Sequence, residues 1–207
     1  MRPNCSDLSC DIERILVGED EIMTAVDRIA SEIDRDYADS GRGLLLLGIL
    51  KGSVVFMGDL MKKIRTPLEI DFMKVSSYGS GTTSSGRINI LLDLHRSDLS
   101  EKDIVIVEDI IDSGRTLSYL AEYLTLGGAH SVRTCTLLDK PSRRTVHFDP
   151  DYVGYEIPDE FVVGYGLDYD EQYRALPYIG VLKPSVYTKA AYTNRRDRWT
   201  ERNSMSL

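Results

Sequence analysis

The strongest chemical signal in the sequence is a polar run that follows the apolar segment 104–107. The run reads EDIIDSGRT and covers residues 108–116. Its first two residues, Glu108 and Asp109, are adjacent carboxylates, which we expect at the end of a buried strand. The 112–116 segment then combines a carboxylate, two hydroxyls, a glycine and a cation ahead of a helix-like segment, as in strand-to-helix turns that bind anions.

The composition of the 112–116 segment predicts a site for a phosphorylated sugar. Backbone N–H groups at a helix N-terminus lack intrahelical partners, and the helix dipole favours an anion there. Gly114 would let the backbone approach a phosphate closely, and the hydroxyl side chains would donate to it. Glu108 and Asp109 would instead accept hydrogen bonds from sugar hydroxyls or hold a hydrated Mg²⁺. The alternative is a solvated strand end at which Asp112 or Ser113 only caps the helix.

The segments around this run alternate between strand-like and helix-like patterns. Continuous apolar runs predict buried strands, and apolar residues three or four positions apart predict helices. The predicted elements are helix 21–37, strand 44–50, helix 54–64, strands 70–75, 88–92 and 104–107, helix 117–126 and strand 132–138. This alternation predicts an α/β fold with a mostly parallel sheet flanked by helices. Ligands of such sheets bind beyond the carboxyl ends of the strands.

Length and composition restrict the class of protein. The chain has 207 residues, of which 42% are hydrophobic and 28% charged, and this is typical of one globular domain. The net charge of −8 argues against a nucleic-acid-binding protein, which would need a basic face. It leaves room for a local basic pocket that binds a small phosphorylated molecule.

The cysteines and the apolar runs predict a cytoplasmic protein. The three cysteines, Cys5, Cys10 and Cys135, form no CxxC pair, which suits a reducing compartment and predicts no disulfide framework. The longest apolar run, 44–50, is far shorter than the roughly 20 residues of a membrane span. Residues 1–14 lack the apolar core of a signal peptide. We therefore expect no membrane association.

Beyond residues 104–117, four further segments carry a resemblance to a known family. Residues 107–117 resemble the phosphoribosyl pyrophosphate (PRPP) signature of type I phosphoribosyltransferases. Four other segments occur in the order and spacing of the hypoxanthine-guanine branch of that family: LKGS at 50–53, SSYG at 76–79, LLDKP at 137–141 and FVVGYGLD at 161–168. The resemblance covers about residues 11–187 and is carried by specific motifs.

The resemblance implies a domain organisation. It predicts a single phosphoribosyltransferase domain over residues 1–187, with a core at about 40–160. A small hood would be formed by the N- and C-terminal segments, at about 11–20 and 150–187. Residues 188–207 contain five basic residues against two acidic ones and few aliphatic residues, so we expect a flexible basic tail there.

The resemblance also implies an activity. A member of this branch transfers 5-phosphoribose from PRPP to hypoxanthine or guanine in a Mg²⁺-dependent reaction of purine salvage, giving IMP or GMP and pyrophosphate. Asp112 would be the catalytic acid/base. The residues expected to bind PRPP and its ribose phosphate are Glu108, Asp109, Asp112, Ser113, Gly114, Arg115 and Thr116.

Other site residues follow from the same resemblance. Those expected to bind pyrophosphate are Lys51, Gly52 and Arg174, with a cis peptide before Lys51. Ser77 and Tyr78 would belong to a mobile loop that closes over the site. Those expected to bind the purine are Lys140, Phe161, Val162 and Asp168. Those expected to hold Mg²⁺ are Asp168, Glu108 and Asp109. Because an ammonium group only donates hydrogen bonds, Lys140 would select a 6-oxopurine over a 6-aminopurine.

The resemblance leaves two alternatives and a few expectations about partners. Family members are usually homodimers or homotetramers, and we expect neither nucleic acid nor membrane as a partner. One alternative is the orotate or uracil branch of the same family, against which Lys140 and the segment around Phe161 argue. The other is a non-catalytic, nucleotide-sensing regulator that binds RNA. Against it stand the acidic net charge and the complete set of expected catalytic groups.

Overall fold

The computed structural model describes residues 8–77 and 88–188. In chain order the strands there are β1 (Ile12–Val17), β2 (Gly43–Leu50), β3 (Leu68–Ser77), β4 (Ile88–Leu92), β5 (Lys102–Ile111), β6 (Ser131–Asp139), β7 (Tyr152–Glu156), β8 (Val162–Val163) and β9 (Ile179–Leu182). The α-helices are α1 (Glu19–Tyr37), α2 (Val54–Lys63), α3 (Arg115–Leu126) and α4 (Pro184–Tyr187). Short 3₁₀ turns lie at Leu8–Asp11, Leu99–Glu101 and Pro141–Arg143.

The larger sheet has six strands in the order β4-β3-β2-β5-β6-β7. Strand β4 is antiparallel to β3, and all other neighbours are parallel. The α/β fold with a mostly parallel sheet is therefore confirmed. A smaller antiparallel sheet joins the two ends of the described chain in the order β1-β9-β8. The domain limits given above stay a prediction.

Helices cover both faces of the larger sheet and explain why strand β2 is apolar throughout. In β2, Leu44 and Leu46 pack on the face covered by α1 and α2, whereas Leu45 and Leu47 pack on the opposite face with α3. All four leucines are buried, as expected for a strand enclosed on both sides. This packing fixes β2 rigidly beneath the segment that follows Leu50.

Two sequence-based expectations about local structure are wrong. Strand β5 does not end at the two carboxylates: it continues to Ile111, so Glu108 and Asp109 lie inside the strand. The carboxylates did not break the strand because backbone pairing with β6 continues through Ile111. The expectation of a chain without disulfides also fails, since Cys10 is disulfide-bonded. Cys135 is free and buried.

None of the helices in the described part of the chain is both long enough and apolar enough to cross a membrane.

Candidate active site

Three parallel strands bring the predicted site residues to one edge of the larger sheet. Strand β2 pairs with β5, and β5 pairs with β6, all running in the same direction. The segments that follow them therefore leave the sheet at the same edge. Lys51, the 112–116 segment and Lys140 each follow one of these strands, as the sequence analysis expects for a ligand site.

The 112–116 segment forms a tight turn into α3. Gly114 adopts a φ of 80°, a left-handed conformation that other residues rarely adopt. The N–H of Ser118 donates to the carbonyl of Gly114 at 3.0 Å, so the N–H groups before Ser118 precede the first hydrogen bond of the helix; that of Arg115 donates to Ser113 Oγ at 3.4 Å. Beside them lies a cavity of about 110 Å³ lined by Glu108, Ile110, Ile111, Asp112, Ser113, Gly114, Thr116 and Leu117.

The segment that follows β6 supports this turn. The N–H of Thr145 donates to the carbonyl of Ser113 at 3.0 Å, and Arg144 Nη1 donates to the carbonyl of Asp112 at 2.8 Å. A Cβ on Gly114 would lie 2.8 Å from Arg144 Cδ. Gly114 is therefore required for its backbone conformation and for this close approach. The exposed Arg115 donates through Nε to Thr145 Oγ1 at 3.1 Å.

Asp112 is exposed and carries an arginine partner. Arg143 Nε lies 3.2 Å from Asp112 Oδ1, and the same guanidinium lies 3.7 Å from Asp159. The sequence analysis missed Arg143, Arg144 and the contact of Thr145. The adjacent basic pair, so soon after Lys140, is the one sequence signal that could have pointed to them.

Glu108 and Asp109 point to different surroundings. Glu108 lines the cavity, but its Oε2 is shielded from solvent and has no hydrogen-bond partner among the described residues. Burial raises the pKa of Glu108 well above its ordinary value, and the neighbouring Asp109 adds to this. Asp109 is buried and packs against Gly52. Burial raises the pKa of Asp109 to about 6, although the N–H of Ile110 donates to its carboxylate.

The segment after β2 approaches Asp109 closely. The peptide bond between Leu50 and Lys51 is cis, as the resemblance implied. A Cβ on Gly52 would overlap the carboxylate of Asp109 and lie 2.5 Å from its Cγ. On the other side, a Cβ on Gly166 would overlap the carbonyl oxygen of Gly52. Two glycines thus allow three chain segments to meet around Gly52.

Lys51 and Arg174, the predicted pyrophosphate-binding cations, share a carboxylate partner. Lys51 Nζ lies 2.9 Å from Glu171 Oε2, and Arg174 Nη2 lies 3.5 Å from the same oxygen. Arg174 also pairs with Asp168 at 2.7 Å and donates to the carbonyl of Gly166 at 2.7 Å. The hydrogen bond from Lys51 lowers the pKa of Glu171. Lys51 and Arg174 therefore lie close together, and Glu171 is a site residue that the sequence analysis missed.

The residues predicted to bind a purine form a group beside the smaller sheet. Lys140 is buried, and its Nζ donates to the carbonyl of Glu160 at 2.6 Å. Phe161 remains 39% exposed, and its ring stacks on Tyr187 with centroids 4.7 Å apart and planes 18° apart. Val162 is buried in β8. Lys140 thus contacts Glu160, the residue that directly precedes Phe161. Tyr187 is an aromatic neighbour of Phe161.

The residues predicted for a closing loop fall at the limit of the described chain. Ser77 is the last residue of β3. Tyr78 lies outside the described residues, and so does the basic tail from residue 189. What the sequence analysis expects of this loop and of the tail stays a prediction.

The carboxylates of the site suit a magnesium ion that is shared with a substrate. Among the described residues, no group of three or more His, Cys, Asp or Glu side chains could enclose a metal. Mg²⁺ however commonly binds one or two carboxylates together with substrate phosphates and water. Two oxygen ligands of that kind are Oε2 of Glu108, which has no partner among the described residues, and the carboxylate of Asp168, which pairs with Arg174.

The arrangement as a whole suits a ligand with two phosphate-bearing ends. One end would meet the N–H groups of the 112–116 segment, and the other would meet Lys51 and Arg174. Oε2 of Glu108 has no hydrogen-bond partner among the described residues, and the carboxylate of Asp112 is exposed. An exposed aromatic ring and a buried lysine complete the site on the side of the smaller sheet.

The chain is similar in sequence to known proteins. Residues 17–170 match the phosphoribosyl transferase domain family. The chain is 54% identical over 177 residues to the hypoxanthine-guanine phosphoribosyltransferase of Bacillus subtilis, covering 86% of this chain and 97% of that protein. It is 51% identical over 179 residues to the bifunctional protein TilS/HprT of Listeria monocytogenes. That match covers 86% of this chain but only 27% of the relative, so the chain spans about a quarter of the bifunctional protein's length.

The fold is also similar to that of solved structures. A hypoxanthine phosphoribosyltransferase from Staphylococcus aureus superposes with a TM-score of 0.82 at 48% identity, covering 87% of this chain and 97% of that one. The type I phosphoribosyltransferase fold is thereby confirmed. The chain belongs to the phosphoribosyltransferase family and, within it, to the hypoxanthine-guanine phosphoribosyltransferases.

Proposed function

We propose that this chain transfers 5-phosphoribose from PRPP to hypoxanthine or guanine, giving IMP or GMP and pyrophosphate, as an enzyme of purine salvage. One observation carries the proposal. Residues of the 112–116 segment and Glu108 line the same cavity. Donors for a phosphate and an acceptor for hydroxyl groups therefore lie side by side, and a ribose 5-phosphate carries both complementary groups.

Binding of PRPP begins at the 112–116 segment. The backbone N–H groups there, with the hydroxyls of Ser113 and Thr116, hold the 5′-phosphate at the positive end of the α3 dipole. Glu108 accepts hydrogen bonds from the ribose hydroxyls and so satisfies its unpartnered Oε2. Asp109 holds the ribose together with Glu108, and its carboxylate packs against Gly52.

The leaving pyrophosphate lies at the other end of the substrate. The ammonium of Lys51 and the guanidinium of Arg174 offset the negative charge that grows on it as its bond to the ribose breaks. The backbone of Gly52 offers a surface without a side chain at which phosphate oxygens approach closely.

A Mg²⁺ ion would be held by Asp168 and by Glu108 or Asp109, with substrate oxygens completing its ligands. When bound, it supplies positive charge that stabilises the leaving pyrophosphate.

The purine lies between the ribose and Phe161. The exposed ring of Phe161 stacks on the base, and base–aromatic stacking contributes about 1–3 kcal/mol. Lys140 donates to the oxygen at position 6 of the purine. Backbone groups at Val162 and Asp168 bind its remaining polar edge. A 6-aminopurine has no acceptor for Lys140 at this position, so the site discriminates against it.

Asp112 is the general acid/base for the proton on the imidazole ring of the purine. A purine nitrogen forms a bond to the anomeric carbon while the bond from that carbon to pyrophosphate breaks, and the ribose gains oxocarbenium character. Asp112 takes up the proton that the attacking base releases and returns it in the reverse reaction. Arg143, 3.2 Å from Asp112, orients this carboxylate.

The same residues give less support to two other functions, those of a pyrimidine-specific phosphoribosyltransferase and of an RNA-binding regulator. A pyrimidine-specific enzyme would not need the group formed by Lys140 and Phe161. An RNA-binding regulator would need a basic face, which is difficult to reconcile with a net charge of −8. We expect a cytoplasmic protein. We also expect a homodimer or homotetramer, and size-exclusion chromatography with light scattering would test this oligomeric state.

The test is an assay of pyrophosphate release with PRPP, Mg²⁺ and one free base at a time. Hypoxanthine and guanine should be substrates, whereas adenine, orotate and uracil should not. Omitting Mg²⁺ should stop turnover. Turnover with orotate or uracil alone would assign the chain to the pyrimidine branch. If folded protein binds PRPP but turns over none of the bases, the proposed activity is wrong.

A further inference from the structure

The two cations that would bind pyrophosphate already have anionic partners within the chain. Lys51 Nζ lies 2.9 Å from Glu171 Oε2, and Arg174 Nη2 contacts both Glu171 and Asp168. A carboxylate and a phosphate oxygen require the same donors. The Glu171 carboxylate must therefore give up these contacts when pyrophosphate takes them.

Glu171 is built so that its side chain can leave while its backbone stays. Its side chain is 66% exposed. Its backbone is held in a left-handed conformation with a φ of 61°, and its N–H donates to Asp168 Oδ2 at 2.9 Å. The loop therefore fixes the position from which the carboxylate reaches Lys51, whereas nothing encloses the carboxylate itself.

We propose that Glu171 competes internally with pyrophosphate, and so sets how tightly the enzyme holds PRPP and pyrophosphate. This inference rests on the proposed function, because it assumes that the pyrophosphate group lies at Lys51 and Arg174. In the free enzyme the Glu171 carboxylate pairs with Lys51 and Arg174. It moves aside when PRPP binds and returns as pyrophosphate leaves, which favours product release. Glu171 is a positioning residue and takes no part in the chemistry.

The expected effect is modest, because the ion pair is exposed to solvent. Exposed pairs of this kind shift an equilibrium only about two- to fivefold. Removing the charge of Glu171 also removes its repulsion of a multiply charged ligand, which acts in the same direction. Glu171→Gln should therefore bind pyrophosphate about two- to tenfold more tightly than the natural protein.

The experiment is calorimetry of pyrophosphate and of PRPP, each with Mg²⁺, on the natural protein, on Glu171→Gln and on Glu171→Ala. Asp170→Asn is the matched control, since it removes one exposed negative charge from the neighbouring residue, which pairs with neither Lys51 nor Arg174 in the described chain. IMP is the second control ligand, because it carries a 5′-phosphate but no pyrophosphate.

Tighter binding of pyrophosphate and PRPP by both Glu171 variants, with IMP unchanged and Asp170→Asn like the natural protein, supports the proposal. A merely structural role for Glu171 would weaken all three ligands and would overturn it. Equal tightening by Asp170→Asn would also overturn it, since net charge would then explain the effect. If the natural protein binds neither PRPP nor pyrophosphate, the proposed function itself fails and this inference with it.

Discussion

The carboxylate of Asp109 lies directly against Cα of Gly52, so that a methyl group on Gly52 would overlap the carboxylate and lie 2.5 Å from its Cγ. Asp109 cannot easily withdraw. It is buried in the central strand β5, and the N–H of Ile110 donates to its Oδ1 at 2.9 Å. Gly52 cannot withdraw either, because its carbonyl lies against Gly166. The pyrophosphate end of the site thus depends on the absence of one side chain.

Gly52→Ala should therefore damage both stability and activity. Overpacking of a buried site costs about 1–3 kcal/mol, and any shift of residue 52 displaces the backbone that faces pyrophosphate. We expect a lower midpoint of urea unfolding and a loss of turnover of at least about a hundredfold. Urea denaturation followed by circular dichroism and the pyrophosphate-release assay measure the two effects.

Gly58→Ala is the matched control. Gly58 lies inside α2, and nothing is within 4 Å of the position that its Cβ would take. Alanine there should stabilise the protein by about 0.5–1 kcal/mol, because glycine is unfavourable in a helix. If Gly52→Ala unfolds at the same urea concentration as the natural protein, the close approach to Asp109 is not rigid and the prediction is wrong.

Asp112→Asn should lower turnover far more than it weakens PRPP binding. Asparagine has nearly the same shape but cannot accept a proton, and general acid–base catalysis contributes about 10²–10⁴-fold to a rate. Steady-state kinetics with hypoxanthine gives the loss in kcat, and calorimetry gives the dissociation constant of PRPP. Asp159→Asn is the control, since Asp159 lies near the same guanidinium of Arg143. Equal turnover by Asp112→Asn and the natural protein would remove the acid/base assignment.

The sequence was sufficient to predict five of the six strands of the larger sheet, all but β7, and the 112–116 turn. Both are local features: the buried strands are short apolar runs, and the turn is a contiguous string of polar residues around Gly114. The same local reasoning ended β5 too early. It placed Glu108 and Asp109 at the end of the strand, whereas pairing with β6 holds both within it.

Contacts between distant segments could not be predicted in this way. The pair of Lys51 with Glu171 joins residues that are 120 positions apart. The support of Ser113 by Thr145 and the stacking of Phe161 on Tyr187 likewise depend on how the chain returns to the site edge. The partners Glu171, Thr145 and Tyr187 belong to common residue types outside the motifs singled out from the sequence, so only the folded structure reveals these contacts.

Tyr187→Ala should weaken binding of the purine without affecting PRPP. Tyr187 stacks on Phe161 with centroids 4.7 Å apart, so it supports one face of the ring, and Phe161 remains 39% exposed. Loss of this support lets Phe161 change rotamer, and we expect the KM for hypoxanthine to rise about three- to tenfold, in line with the energy of an aromatic pair.

Tyr187→Phe separates the ring from its hydroxyl. It should behave like the natural protein, since only the stacked ring is needed. The KM for PRPP should stay constant in both variants. A fall in the KM for hypoxanthine with Tyr187→Ala would mean that Tyr187 occupies the purine position in the free enzyme, which contradicts the supporting role.

The pH dependence of the free energy of unfolding should show a contribution from the carboxylate of Asp34. This residue lies in the C-terminal part of α1. Its carboxylate accepts hydrogen bonds from the N–H groups of Arg65 and Thr66 and from the Thr66 hydroxyl, at 2.8–3.1 Å. Burial raises the pKa of Asp34, but the bonds from Thr66 and Arg65 outweigh it, so the pKa lies below its ordinary value of 3.8. Asp34 therefore stabilises the connection from α2 to β3 most strongly when ionised.

Asp34→Asn should be less stable than the natural protein by about 1–2 kcal/mol at pH 7, because hydrogen bonds to a charged acceptor are the stronger ones. A lowered pKa in the folded state contributes stability that is complete above the pKa of the unfolded chain and is lost as the pH falls through the folded pKa. The difference between the two proteins should thus shrink below about pH 4. Urea unfolding from pH 3 to 7 measures it, with the exposed Asp39→Asn as control. A difference that widens on acidification would show that the Asp34 carboxylate destabilises the fold.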